Sequence, residues 1–393
     1  VSSSTRDSTS WRLRVYPLAI LAALACALLV AAIRYNVDDP EARLGGDYPS
    51  FYGAGSIVAA GDWSELYDAE RQQAEQAGLI DNEGGYLYFS YPPFVAAVYG
   101  LLALPGYQWS FLIHTLLMAA ALAGAVWAVW PWLRRFGLPG RAVFVVALAF
   151  QPVFTGVIGG QNVALTLLLL TLAARLDHED RPFLAGLVGA VLLFKPQFGV
   201  VVLPFLVVGR RWRTLAGWAT GAIVLYAIST ALMGGSWIGE WWRQARAFAE
   251  LNVSANGANF ISFPGFLENA LGAGSVVAAV IGYGAAALVA LAALREWWRR
   301  PRRDALWRWA LLGGIAMATA PQTLFYDAGL LLPVLVVVLP SWRRPLPAVA
   351  ALVIVSWLQV GKETLGWSPL GPLVLAALVL LVLQGRPTEI GVA

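Results

Sequence analysis

Long apolar runs separated by short polar breaks recur along nearly the whole chain, and Leu18–Ile33, Gly272–Leu294 and Pro372–Leu383 are typical of them. A helix needs about 20 residues to cross a bilayer core. The runs are continuous, whereas the strands of a membrane barrel alternate lipid-facing and lumen-facing residues over about ten positions. The pattern therefore predicts an all-α protein, a polytopic transmembrane helical bundle. Spans are predicted near 15–34, 108–133, 141–158, 162–175, 182–195, 197–209, 214–233, 274–294, 306–321, 328–340, 346–361 and 368–384, about twelve in all. No room is left for a separate soluble domain, so 1–393 reads as one membrane domain. Several runs fall short of 20 residues, which predicts half-buried or re-entrant pieces packed against neighbours.

Two stretches break the rhythm: 35–107 reads as a first outer loop and 234–273 as a second, both with helical pieces. Within the first, the apolar stretch Tyr91–Leu104 opens on Tyr91-Pro92-Pro93, a start that suits a helix because its first turn tolerates proline. Counting it as a crossing would put Arg134, Arg135 and Arg141 outside, so it is predicted to be an interfacial helix.

Charge fixes the orientation. Of the 27 Lys and Arg residues, seven (Arg34, Arg43, Arg71, Lys195, Arg243, Arg246 and Lys362) fall outside in this assignment and 20 inside, as the positive-inside rule requires, with both termini cytoplasmic. Arg12 and Arg14 precede the first run, which reads as a signal anchor. The net charge of +4 is thus a matter of orientation, and no nucleic-acid partner is expected. With 59% hydrophobic and only 13% charged residues, against roughly a quarter charged in ordinary domains, a soluble globular enzyme is excluded. The single cysteine, Cys26, allows no intrachain disulfide, and His114 and His178 are too few for a zinc site.

The candidate chemistry lies on the outer side. Gly45-Gly46-Asp47-Tyr48-Pro49-Ser50-Phe51-Tyr52 places a carboxylate beside a sharp turn, where it reads equally as a helix N-cap and as a general base. Gly159-Gly160-Gln161-Asn162, Lys195-Pro196-Gln197 and Pro321-Gln322-Thr323-Leu324-Phe325-Tyr326-Asp327 lie at the ends of apolar runs on that same side. Ionisable groups at membrane depth usually mark a site. Lys195 suits a phosphate, although it also reads as a snorkelling lysine or a partner of Asp327, and Gln161 and Asn162 as bridges between helices. In the second loop Trp237, Trp241, Trp242, Arg243 and Arg246 precede Asn252, Asn256 and Asn259. That set suits a sugar and equally an amphipathic surface helix. The small-residue spacing of Gly217-Trp218-Ala219-Thr220-Gly221 reads as close helix packing.

The combination of Gly46-Asp47 with Tyr52, Tyr91-Pro92-Pro93, Gly160-Gln161-Asn162, Lys195-Pro196 and Tyr326-Asp327 resembles glycosyltransferase family 87 over roughly 46–335. The resemblance implies a bundle of the GT-C type in the bacterial inner (plasma) membrane and a polyprenyl-phosphate sugar donor, typically of mannose. Asp47 matches the family's first-loop catalytic aspartate. The late segment Gln322–Asp327 departs from members that carry histidine there. The expected activity is that of an inverting hexosyltransferase that moves mannose to a hydroxyl of a glycolipid or glycan acceptor at the outer face. Asp47 is expected to be the base, and Lys195 with Arg243 or Arg246 the phosphate partners. Tyr52, Tyr91, Gln161, Asn162, Gln197, Tyr326 and Asp327 are expected to shape the sugar pocket. A phosphate leaving group already carries its charge, so neither metal nor cofactor is expected when the protein supplies cations. The rival is a transporter or a flippase for lipid-linked substrates, against which the absence of an internal repeat counts. The tail beyond 335 reads as plain apolar helix.

Overall fold

The computed structural model describes residues 46–79, 86–272, 274–301, 303–341 and 345–383; the predicted span 15–34, with Cys26, lies outside them. Among the described residues the protein is helical, with a lone antiparallel bridge between Phe260 and Leu324 in place of any sheet. The first long loop contributes α1 (Tyr48–Ala59), α2 (Ala69–Gln76) and α3 (Pro93–Ala103), followed by α4 (Tyr107–Ala128). Then come α5 (Gly140–Ala149), α6 (Gln151–Ile158), α7 (Val163–His178), α8 (Pro182–Val191), α9 (Pro196–Val208) and α10 (Trp212–Met233). The second loop carries α11 (Trp237–Asn256) and α12 (Phe263–Leu271), and the chain ends in α13 (Val276–Arg299), α14 (Ala305–Thr319), α15 (Leu331–Val338), α16 (Pro345–Ser356) and α17 (Leu370–Leu383).

Among the described residues four helical stretches are long and apolar enough to cross a membrane: α4, α10, α13 and Pro347–Leu365, which joins α16 to the turns after it. They mark a membrane protein. The other apolar helices are shorter, and prolines set where several begin. Pro93, Pro182 and Pro196 open α3, α8 and α9, where the missing N–H costs nothing. With 16, 13 and 15 residues, α7, α9 and α14 reach about 24, 20 and 22 Å against a bilayer core of about 30 Å.

The predicted span 141–158 is two helices, α5 and α6, bent by 79°. Pro152 sits in the first turn of α6, and Phe150 before it is extended, because a proline ring clashes with a continuing helix on its N-terminal side. The backbone groups freed at the break find partners on α16 and the turn after it. Gln151 donates its N–H to Ser356 Oγ at 3.1 Å, and Trp357 Nε1 donates to the Ala149 carbonyl at 3.1 Å. Such satisfaction makes a broken helix tolerable at membrane depth.

At the centre stands α14, in which every residue from Ala305 to Ala318 is buried, the mark of a helix surrounded by other helices. The glycines of α10 serve packing. A Cβ on Gly217 would lie 1.9 Å from the Phe183 carbonyl oxygen, so only glycine lets α8 and α10 approach this closely. The helix ends sort by charge. Asp177 at the end of α7 takes Arg308 of α14 at 2.6 Å and lies 3.8 Å from Arg211. The opposite ends of the bundle lead into the segments 159–161, 194–197 and 321–327, which meet the two long loops.

Candidate active site

Those segments enclose a cavity of about 770 Å³. Asp47 reaches its wall through a turn that favours glycine. Gly46 has φ +46°, and a Cβ there would stand 3.2 Å from the Gly159 carbonyl oxygen, to which Asp47 donates its own N–H at 3.1 Å. Asp47 precedes α1, yet its side chain caps nothing. Its carboxylate instead accepts a hydrogen bond from Gln161 Nε2. Of the two readings left open for this residue, the N-cap is therefore set aside. Gly160, at φ +70°, turns the chain so that Gln161 faces the first loop.

Half-buried on the cavity wall, Asp47 has its carboxyl pushed above the ordinary 3.8 by desolvation, with the Gln161 hydrogen bond and the charge of Lys195 pulling it partly back. A carboxylate so placed is a stronger base than an exposed one.

Lys195 ends the turn after α8 in a non-helical conformation, which swings its side chain inward. It does not snorkel. Its ammonium donates to Asp327 Oδ1 at 2.6 Å, and the two side chains are only 5% and 6% exposed. The same ammonium lies 5.4 Å from the centre of the Tyr326 ring and 5.5 Å from that of Phe198. An ammonium has three hydrogens to donate, so one anchors Asp327 and the others stay available.

Of the residues singled out in the sequence, Asp47, Tyr91, Gln161, Lys195, Gln197, Arg246, Tyr326 and Asp327 line this cavity. Tyr52, Asn162 and Arg243 do not. Tyr52 packs edge-on against Tyr107 at 5.3 Å, in the wall behind α1. Asn162, one residue past Gln161, turns the other way and accepts from the Tyr99 hydroxyl at 2.9 Å in the buried core. Arg243 stands two positions from the cavity residue Ala245, nearly opposite on a helix of 3.6 residues per turn, and is exposed. Thus one face of α11 carries Arg243 away from the cavity, and another brings Trp241, Trp242 and Arg246 to it. Trp241 Nε1 donates to the Ser90 carbonyl at 2.8 Å and ties the two loops together.

Sequence reasoning passed over Lys362, which also lines the cavity. The tail is accordingly more than plain apolar helix. The available signal was that Lys362 and Glu363 are the sole charged residues between 345 and 383. Asp47 and Asp327 are the acidic residues of the wall, and among the described residues no three His, Cys, Asp or Glu side chains converge as a metal would require.

The model of glycosyltransferase family 87 matches residues 89–321, well over half of the chain. Tyr91, Gln161, Lys195, Gln197 and Arg246 fall inside that match, and Asp47, Tyr326, Asp327 and Lys362 outside it. No curated protein and no solved structure matches the chain.

Proposed function

The chain belongs to glycosyltransferase family 87, and from that premise we propose that it transfers mannose from a polyprenyl-phosphate donor to a hydroxyl of a glycolipid or glycan acceptor. The bundle is then of the GT-C type, with about twelve crossings of a bacterial plasma membrane and both termini in the cytoplasm. The cavity opens toward the outer face. One observation carries this reading: Asp47, free of any capping duty, stands on the wall of a 770 Å³ cavity where helices shorter than the bilayer core come to an end. Such a cavity is sunk below the membrane surface. A lipid-linked donor can leave its chain among the apolar helices and still bring phosphate and sugar to the carboxylate. The family match lends nothing to the transporter reading.

Transfer proceeds as one in-line displacement. The acceptor oxygen attacks the anomeric carbon as its proton passes to Asp47. The bond from that carbon to the phosphate oxygen breaks, its electron pair leaves with the polyprenyl phosphate, and the anomeric configuration inverts. Gln161 fixes the carboxylate through its amide. Lys195 offers the phosphate the ammonium hydrogens that Asp327 leaves free, and Arg246 approaches from α11. Tyr91, Gln197, Tyr326 and Asp327 supply hydroxyl, amide and carboxylate partners for the sugar.

The test is Asp47→Asn in reconstituted membranes supplied with a synthetic polyprenyl-phosphate mannose. The amide keeps the shape and cannot accept the proton. A general base contributes about 10²–10⁴-fold, so transfer should drop by at least a hundredfold, and retention of more than a tenth of the rate would remove Asp47 from the base role.

A further inference from the structure

The cavity wall holds two ammonium groups in different electrical states. That of Lys195 is neutralised by Asp327 at 2.6 Å. Lys362 bonds instead to a neutral oxygen, the side-chain carbonyl of Asn259 at 2.5 Å, and lies 5.4 Å from the centre of the Phe325 ring. Among the described residues its acidic neighbour is Glu363 at 3.5 Å, whose side chain is 77% exposed, and a pair of that kind is worth little.

The Asn259 oxygen is itself held by a chain of amides. Ser368 Oγ donates to Gln359 Oε1 at 2.7 Å, and Gln359 Nε2 reaches Asn259 Oδ1 at 3.5 Å. On the other side Asn259 leads to Asn256 at 3.4 Å, and Asn256 to Asn252 at 2.8 Å. These groups fix where the ammonium stands without cancelling its charge. Aromatic faces attract a cation and leave it charged as well. A cation fixed in a cavity by neutral partners is arranged to receive an anion from outside.

Resting on the transferase reading above, we propose that Lys362 is the principal phosphate-binding cation of the donor site, the group that holds the polyprenyl-phosphate head and stabilises it as it leaves. Lys195, its charge already balanced by Asp327, then adds the weaker contact of its spare hydrogens. The assignment gives the tail a function: the segment between α16 and α17, which lies beyond the family match, completes the site through a residue 167 positions from Lys195.

Binding of undecaprenyl phosphate, with undecaprenol as the uncharged control, is measured on purified protein in nanodiscs. A charge-assisted contact to phosphate is worth about ten- to a hundredfold in affinity. Lys362→Gln should weaken undecaprenyl phosphate by that factor and leave undecaprenol unchanged, and Lys362→Arg should recover most of the loss. An equal loss for both ligands, or none for either, would overturn the assignment. Should Lys362→Gln fail to fold, Asn259→Asp neutralises the ammonium in place with an isosteric side chain. It is expected to weaken the phosphate ligand selectively, and unchanged phosphate binding would again overturn the assignment. Asp47→Asn in the same preparation should bind undecaprenyl phosphate normally and fail to transfer. If Asp47→Asn transfers normally, the general-base reading falls, whatever Lys362 does. If it is inactive while Lys362→Gln binds phosphate as the wild type does, only the Lys362 assignment falls.

Discussion

Two buried ion pairs sit at opposite ends of the bundle, and each has its shortest contact at 2.6 Å. At the end away from the cavity, Arg308 sends Nε and Nη2 to the same oxygen of Asp177, at 3.2 and 2.6 Å, and gives Nη1 to the Arg303 carbonyl. Arg211 approaches the other carboxylate oxygen at 3.8 Å. All three guanidinium nitrogens are engaged by protein partners, as befits a clamp between α7 and α14. At the cavity, Lys195 makes a single contact with Asp327 and keeps hydrogens in reserve. The structural pair binds protein through every nitrogen of its cation; the pair on the site wall holds its cation by one contact and leaves the rest of the ammonium facing the cavity. Exposure alone would not separate them, since the side chains of both pairs are 5–9% exposed.

The contrast is sharpest where function and stability come apart. Asp47→Asn should cost two to four orders of magnitude in transfer and nothing in folding. Burial raises the carboxyl of Asp47 above its unfolded value. Its contribution to stability is therefore present when it is protonated at low pH and is lost as pH rises through the folded-state value. At pH 7 the amide should leave Tm equal to or above that of the wild type, and a clear drop in Tm would show that the carboxylate supports the fold after all.

Arg308→Met should do the reverse. It strands Asp177, whose side chain is 8% exposed, and breaking a buried pair from one side costs about 3–5 kcal/mol. Thermal unfolding in nanodiscs should register that loss, while transfer per folded molecule should stay near wild type. A selective loss of turnover in correctly folded protein would end the distinction between the two pairs.

Lys195→Met should lie between these extremes, losing stability because Asp327 is left buried and alone, and losing turnover as well. Adding Asp327→Asn should restore Tm and leave transfer impaired, provided the spare donors of Lys195 serve the substrate. Recovery of both together would make this pair a clamp like the other.

The smallest effect is on pH dependence. Transfer should fall on the acid side as Asp47 takes up its proton, at a pH above that of an ordinary aspartate. Gln161 holds the value down by hydrogen bonding. Gln161→Leu should therefore shift the acid limb to higher pH, and an unmoved limb would mean that the limb belongs to another group.

The apolar runs and the prolines that punctuate them are local properties, because transfer into an apolar phase adds residue by residue along a helix and a ring without an N–H acts on its own turn. From these alone follow the helical class, the starts at Pro93, Pro182 and Pro196 and the motifs that lead to the family. The break at Phe150 was written there too, in Pro152, but its consequence depended on Ser356 and Trp357 being close enough to satisfy the freed backbone. Which side of a turn a polar residue faces was beyond the sequence: Gln161 meets Asp47 while its neighbour Asn162 meets Tyr99. For Lys195 the sequence offered Asp327, 132 positions away, as one reading beside snorkelling, and the packing selected it; the partner of Lys362, Asn259, 103 positions away, was beyond it. Burying a charge is costly wherever it happens, and the sequence announces that cost. Whether a carboxylate, an amide or an empty cavity meets the charge is decided by which helix ends come together, and that is a property of the packed bundle.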